Sequence, residues 1–240
     1  MTQFPSSALQ TIVPRFMRPA AKRAYSGTLK LLRTSYHRHI RTPALLKQRQ
    51  GLKNRKLEIG PGPKRIDDFE TLNVVPGANV DYVWNASTRL PFDTGTFSLI
   101  YASHVLEHIP WYEADAALAE WVRVLTTPGR IEIWVPDGVK ICKAFVDAEL
   151  QGATDFERDG WFRFNEQRDP CRWASGRLFS YGDGIGTRGH ENWHLAVFSF
   201  RYLERALLKA GCARVERLEP SQVRGHDHGW INLGVVGIKE

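Results

Sequence analysis

Two groups of residues in this 240-residue chain combine types and spacings suited to chemistry. The first is Leu57-Glu58-Ile59-Gly60-Pro61-Gly62-Pro63, where a short apolar run carrying a carboxylate meets two closely spaced glycines. Glycine lets the chain turn with positive φ and lets a ligand approach the backbone without meeting a Cβ, so Gly60 and Gly62 mark a ligand loop. A side chain added at Gly60 is expected to enter the ligand's space rather than the core. The second group is His104-Val105-Leu106-Glu107-His108, two imidazoles four residues apart with a carboxylate between them. Histidine titrates near neutrality and is the natural acceptor of a proton from a hydroxyl nucleophile, so His108 and His104 are candidate catalytic residues. His190, in Gly189-His190-Glu191-Asn192-Trp193-His194, is a third.

The spacing around the glycines narrows the ligand. A dinucleotide site wants a third glycine and a full helix whose N-terminus holds the pyrophosphate. Here the third glycine position is Arg65, and only residues 63–69 separate the loop from the strand-like run Thr71 to Val75, so no long helix fits. A cationic cofactor without a pyrophosphate suits a loop with Glu58 at its mouth, and S-adenosylmethionine has both properties.

These residues require a scaffold, and the pattern supplies one. Thr71 to Val75, Val80 to Trp84, Phe97 to Ala102 and Arg130 to Pro136 read as strands, and Tyr112 to Thr127 as a helix that Pro128-Gly129 stops. Asp137 to Gly152 reads as a second helix with Ile141, Phe145, Val146 and Leu150 inward. The alternation implies a parallel, doubly wound α/β sheet with helices on both faces. His104 and His108 then lie just beyond a strand, where open sheets bind ligands, and are expected on one side of a helix. Residues 152–195 break the pattern with a dense run of Trp, Phe, Tyr, Arg and Gly, including Arg188 and Tyr181, and read as a cap insertion over the site. Such a cap suits a sugar. Phe200 to Ala210 reads as a helix, Arg214 to Leu218 and Trp230 to Ile238 as closing strands, and His226-Asp227-His228 as a solvated loop between them.

Composition excludes several classes. Cys142, Cys171 and Cys212 are odd in number and far apart, which argues against a disulfide framework or a cysteine zinc site and for a reducing, cytoplasmic setting. No apolar run approaches the roughly 20 residues that span a bilayer. Residues 1–56 carry 13 of the 33 basic residues and none of the 26 acidic ones. The division expected is a basic N-terminal extension, residues 1–54, ahead of a catalytic domain, residues 55–240. Within the extension, Tyr25, Leu29, Leu32, Tyr36 and Ile40 recur at helical steps among Lys30, Arg33, Arg38 and Arg41. That helix either packs its stripe on the domain or lays it on an anionic membrane or polyanion, with contact expected over residues 15–56; a presequence is a third reading.

The chain resembles the class I S-adenosylmethionine-dependent methyltransferases, in particular the type 11 group and its predicted members linked to glycan and cell-surface biosynthesis. The resemblance rests on LEIGPGP at 57–63, LPF at 90–92, FSLIYASHVLEHI at 97–109 and the closing segment ending KAGCARVERL. It implies a seven-stranded Rossmann-like sheet, S-adenosyl-L-methionine as cofactor, and O-methylation of a saccharide or small metabolite. It also implies a cofactor set of Glu58, Gly60, Pro61, Gly62, Asn73, Asn85, Ala86 and Ser103. Asn73 and Asn85 stand where relatives commonly carry acidic residues for the ribose and the adenine, so weaker binding follows. A nucleic-acid methyltransferase, suggested by the basic leader, and a non-catalytic binding module of the same fold are the alternatives. The string His104 to His108 also matches a zinc-protease signature, which the surrounding order rules out. A divalent ion on Glu107, His108 and a histidine of the 189–194 run is set aside too, because His104 occupies the position of the expected additional acid; no metal is assigned.

Overall fold

Parallel strands buried on both faces read as nearly continuous apolar runs, and Phe97–Ser103 (β4) is one, with only Ser98 and Ser103 partly exposed. In the computed structural model, which describes residues 28–29, 31–179, 187, 189–225 and 227–240, β4 lies at the centre of a seven-stranded sheet. The other strands are Arg55–Ile59 (β1), Glu70–Asn73 (β2), Tyr82–Val83 (β3), Leu125–Pro136 (β5), Arg214–Leu218 (β6) and Asn232–Lys239 (β7). Their order is β3-β2-β1-β4-β5-β7-β6. Strands β1 to β5 pair in parallel, and β7 runs antiparallel to both β5 and β6. The Rossmann-like expectation holds, with β7 making the sheet mixed.

Helix α1 spans Thr42–Gln48, α2 Ala114–Arg123, α3 Gly138–Gln151, α4 Pro170–Phe179 and α5 Phe200–Lys209. Leu118, Trp121 and Val122 of α2, with Leu203 and Leu207 of α5, pack with Leu57, Ile59, Ile100, Ile133 and Val235 in the main core. A second cluster gathers Leu99, Tyr101, Trp134 and Val236 with Phe69 and Ile66. The short segment 63–69 thus covers part of the sheet where a longer connection would have put a helix. Arg65, in the third glycine's place, pins it by donating to Phe69 O at 2.9 Å and to Asp81 Oδ2 at 2.7 Å.

Asp81 is buried at the centre of a polar network absent from the sequence reading. It also accepts from Arg49 Nη1 at 3.1 Å and from Thr71 N at 3.2 Å. Glu70 takes Arg55 Nε at 2.7 Å and the Tyr82 hydroxyl at 2.6 Å. Burial raises both carboxyls' affinity for protons, but the Arg65 and Arg49 bonds to Asp81, and the Arg55 and Tyr82 bonds to Glu70, outweigh it and hold both below the ordinary carboxylate range. Arg49 brings the end of the basic segment into this network, and Thr42 Oγ1 accepts from Val83 N at 3.1 Å, so α1 docks on the edge strand.

Several expected boundaries shift. The helix expected over Tyr112 to Thr127 ends at Arg123, because β5 begins at Leu125 and runs through Pro128-Gly129; a register shift between Phe97 and Leu99 absorbs the extra residues. Proline lacks the ladder N–H and is tolerated at such an irregularity. The strand expected over Val80 to Trp84 shrinks to Tyr82–Val83. In α3, Asp137 caps the N-terminus and Gly152, at φ 67°, ends it. Ile141 and Ala144 form its buried face, whereas Val146 and Leu150 are exposed rather than inward. The 152–195 region has more order than its sequence suggested. Helix α4 lies within it, and Trp173 joins Phe156, Ile141 and Ile231 in a core of its own. Tyr181 and Arg188 lie outside the described residues.

The basic extension does not bury its stripe. Residues 31–36 are helical, and Leu29, Leu32, Tyr36 and Ile40 are exposed, as is Leu31, while His37 and Thr42 make the buried contacts. Packing of that stripe on the domain is therefore corrected for the described residues; Tyr25 lies outside them.

Candidate active site

The C-terminal ends of β1, β2 and β4 open into a cavity of about 330 Å³, at the lower end of the range of ligand clefts. Its wall is built from Ile59 and Gly60, from Asn73 and Val74 after β2, from Asn85 and Ala86 after β3, and from Val105, His108 and Ile109 after β4. Gly189, His190, Glu191, Trp193 and Leu195 close the remaining side. A larger hollow of about 740 Å³ lies at the opposite edge, against the starts of β1, β4 and β5. The smaller one is the functional candidate, because open α/β sheets bind ligands beyond the carboxyl ends of their strands.

Gly60 sits at φ 72°, a conformation only glycine adopts freely, and a Cβ there would lie 2.2 Å from Val105 Cγ2. Added bulk at Gly60 therefore strikes Val105 and strains the backbone, contrary to the expectation that it would meet only the ligand. Gly62 differs: a Cβ there meets nothing within 4 Å. Glu58 lies on the opposite side of β1 from Leu57 and Ile59 and does not line the cavity. It is buried, its Oε2 has no hydrogen-bond partner, and burial, against the opposing Arg65 charge, pushes its pKa up to about 7. Asn73 Oδ1 accepts from Val74 N at 2.7 Å and Asn85 Oδ1 from Ser87 N at 3.0 Å. Both side chains line the cavity, but each amide oxygen already serves its own turn. Trp121 fixes the next wall residue, donating from Nε1 to Ala86 O at 2.9 Å. Pro61, Gly62 and Ser103 are not part of the lining.

The histidines separate into different roles. His104 has φ 54° at the end of β4, and only a 3₁₀ turn, Leu106–His108, follows, so the two imidazoles are not presented on one side of a helix. His104 Nδ1 donates to Glu107 Oε1 at 3.0 Å, its Nε2 meets Asn232 Oδ1 at 3.0 Å, and its ring packs on His228 with centroids 3.7 Å apart. His228 is thus part of a packed contact rather than a solvated loop; His226 lies outside the described residues. His108 alone of the pair lines the cavity. Its Nδ1 donates to Trp193 O at 3.2 Å, which leaves the neutral ring's lone pair on Nε2. His190 Nδ1 accepts from Asn192 N at 3.2 Å, so that nitrogen is occupied as an acceptor.

Backbone pairing draws the cap segment to this spot. Leu195 N and Ala196 N both donate to Glu107 O, at 2.7 and 3.2 Å, and Trp111 N donates to Leu195 O. The buried His194 is thereby carried beside His108, ring centroids 5.2 Å apart, with its Nδ1 donating to Arg177 O at 2.8 Å. Burial pushes the His194 pKa down to about 4, so its ring is neutral at pH 7. Burial raises the Glu107 pKa, but the His104 hydrogen bond and the neighbouring histidines win and hold it down at about 2. The sequence offers Glu107, His108 and a histidine of the 189–194 run as a group without showing that His194 is the histidine brought to them. Their meeting depends on the backbone pairing of Leu195 and Ala196 with Glu107, a long-range contact that no local pattern encodes.

Residues 44–133 match the family model described as a methyltransferase domain. No curated protein matches the chain. Among solved structures, it resembles a Thermotoga maritima methyltransferase described as a possible histamine N-methyltransferase, at 16% identity over 91% of this chain and 97% of that one, TM-score 0.43. It also resembles a Methanosarcina mazei S-adenosylmethionine-dependent methyltransferase, at 15% identity over 78% of this chain and 94% of that one, TM-score 0.44. The methyltransferase CalH, solved with S-adenosylhomocysteine, shows 16% identity over 78% of this chain and 51% of that one, TM-score 0.44.

Residues 44–133 carry a methyltransferase domain, and the seven-stranded sheet order and the cavity at its carboxyl edge agree with it; together they support S-adenosylmethionine-dependent methyltransferase activity, with S-adenosylmethionine as the cofactor. The residues present fit that cofactor. Gly62 leaves open space beside the loop, Gly60 presents bare backbone to the cavity, and the buried Glu58 Oε2 at the end of β1 has no hydrogen-bond partner. Among the described residues, no helix is long and apolar enough to cross a membrane.

Proposed function

We propose that the enzyme methylates a hydroxyl of a saccharide or small metabolite, with Gly60, Asn73, Asn85 and Ala86 flanking the cofactor and His108 activating the acceptor. The observation that carries this reading is the placement of His108 in one cavity with Gly60, Asn73 and Asn85, its Nδ1 committed to Trp193 O. Displacement at a sulfonium methyl needs the nucleophile in line at about 3 Å, so positioning supplies most of the rate, and removal of the hydroxyl proton supplies the rest. Trp193 and His190 form a wall on which the C–H face of a sugar can stack. His108→Ala is expected to lower kcat about 100-fold or more while leaving the cofactor Kd within about threefold. Transfer of labelled methyl from S-adenosylmethionine to cell-envelope saccharides, metabolites and RNA tests acceptor and residue together. Labelling of saccharide hydroxyls is the expected result; labelling confined to RNA, or an undiminished His108→Ala rate, contradicts the proposal.

The exposed Leu29, Leu32, Tyr36 and Ile40, set among Arg33, Arg38 and Arg41, favour a second element of function: peripheral binding to an anionic membrane surface, at about 1 kcal/mol per basic residue near the lipid. The full chain should sediment with anionic vesicles and not with neutral ones. Equal sedimentation with both, or with neither, argues against it.

A further inference from the structure

Glu107, His108 and His194 each offer one ligand atom, and these atoms lie within 4.8 Å of one another. The environment of Glu107 makes this more than proximity. Its side chain is 1% exposed, His104 donates to Oε1, and Oε2 is buried with no hydrogen-bond partner. A buried carboxylate oxygen left unpaired is costly, and a cation is the partner that relieves it. Both histidines donate Nδ1–H to a backbone carbonyl, His108 to Trp193 and His194 to Arg177. That arrangement fixes metal-ligating histidines elsewhere, because it sets the tautomer and aims Nε2 as the ligand.

We propose that Glu107 Oε2, His108 Nε2 and His194 Nε2 bind one divalent transition-metal ion of the zinc type, with an open coordination position on the cavity side beside His108. Two histidines and one carboxylate with an open position form a set that such ions accept. His104 is then a positioning residue. It stands where an additional acidic ligand is expected in sequence, yet in space it sits behind Glu107, held on its far side by Asn232. At bonds of about 2.0–2.2 Å, neighbouring ligand atoms stand roughly 3–3.5 Å apart, so loading shortens the separations between the three groups by up to about 1.5 Å. The open position would take water or the acceptor's hydroxyl oxygen, lowering its pKa; this role rests on the methyl-transfer reading, whereas the site does not. Activation by His108 then means that its lone pair holds the ion, and the proton lost by the ion-bound hydroxyl passes to solvent water rather than to His108.

The test uses the full chain stripped by a chelator and titrated with Co²⁺, followed by its visible d–d absorption, and with Zn²⁺, followed by calorimetry. One equivalent of each should bind, with Kd below about 10 μM. His194→Ala and Glu107→Gln should weaken binding about 100-fold or more, His104→Ala about 10-fold, and the exposed His39→Ala not at all. Circular dichroism identifies any variant that fails to fold. In that event His108→Ala, together with a Zn²⁺-dependent rise in the wild-type melting temperature, provides the test. No stoichiometric binding of either ion up to 1 mM, or an unchanged Co²⁺ spectrum and affinity in folded His194→Ala and His108→Ala, overturns the proposal. Titrating the same stripped protein with S-adenosylhomocysteine keeps the two readings distinguishable: cofactor binding without metal binding refutes only the ion, and metal binding without cofactor binding refutes only the methyl-transfer reading.

Discussion

Gly62→Val is expected to leave the fold and its melting temperature close to those of the parent and to weaken cofactor binding by 100-fold or more. The contrast between the two loop glycines is the reason. At Gly60, positive φ and the 2.2 Å approach to Val105 mean that any side chain perturbs the protein before a ligand is present. At Gly62 the φ is ordinary and the space is open, so a branched side chain costs the apoprotein little and projects where a ligand would approach the backbone. Gly60→Val should lose binding as well, but with a lower melting temperature from strain of the order of 1–3 kcal/mol. Comparing calorimetric Kd values and melting curves of the two variants checks both halves. Near-parental affinity in folded Gly62→Val would show that the cofactor does not approach the loop beyond Gly60.

Asp81→Ala is expected to destabilise the protein by about 3–5 kcal/mol, because it leaves the Arg65 and Arg49 guanidiniums without their shared buried partner. For a chain of this size that is a fall of roughly 10 °C in melting temperature. The effect has a definite pH sign. Asp81 and Glu70 are held below their unfolded pKa values, so their stabilisation is present in full above the ordinary carboxylate range and is lost as pH falls through their folded values. Denaturant melts at pH 7 and at pH 3 should therefore show the gap between parent and variant narrowing in acid. A gap below about 1 kcal/mol at pH 7 would mean that the network is not what closes the 63–69 segment over the sheet.

The parallel sheet could be read from the chain because its strands announce themselves locally, through apolar runs bounded by turns, and because the glycine loop has a conformational requirement visible in residue type. The 63–69 segment was correctly too short for a helix, but nothing local showed that Arg65 would reach Asp81 to hold it down. The end of α2 was misread for a related reason. Pro128-Gly129 looks like a stop, yet pairing with β4 outweighs it and starts the strand at Leu125. The site divides in the same way. Gly60, Asn73, Asn85, Ala86 and His108 converge as their positions after strands predict, and His190 joins them from the cap, whereas His104 turns away because its positive φ directs it to Glu107 and Asn232. His194 reaches the site only through backbone bonds to Glu107, a long-range event with no periodic signature.

Calorimetric titration of the full chain with S-adenosylmethionine and S-adenosylhomocysteine decides whether this cavity holds the cofactor. Saturable binding of one equivalent, lost in a folded Ala86→Trp variant whose side chain fills the cavity, is the predicted result. No heat with either compound at millimolar concentration would contradict it.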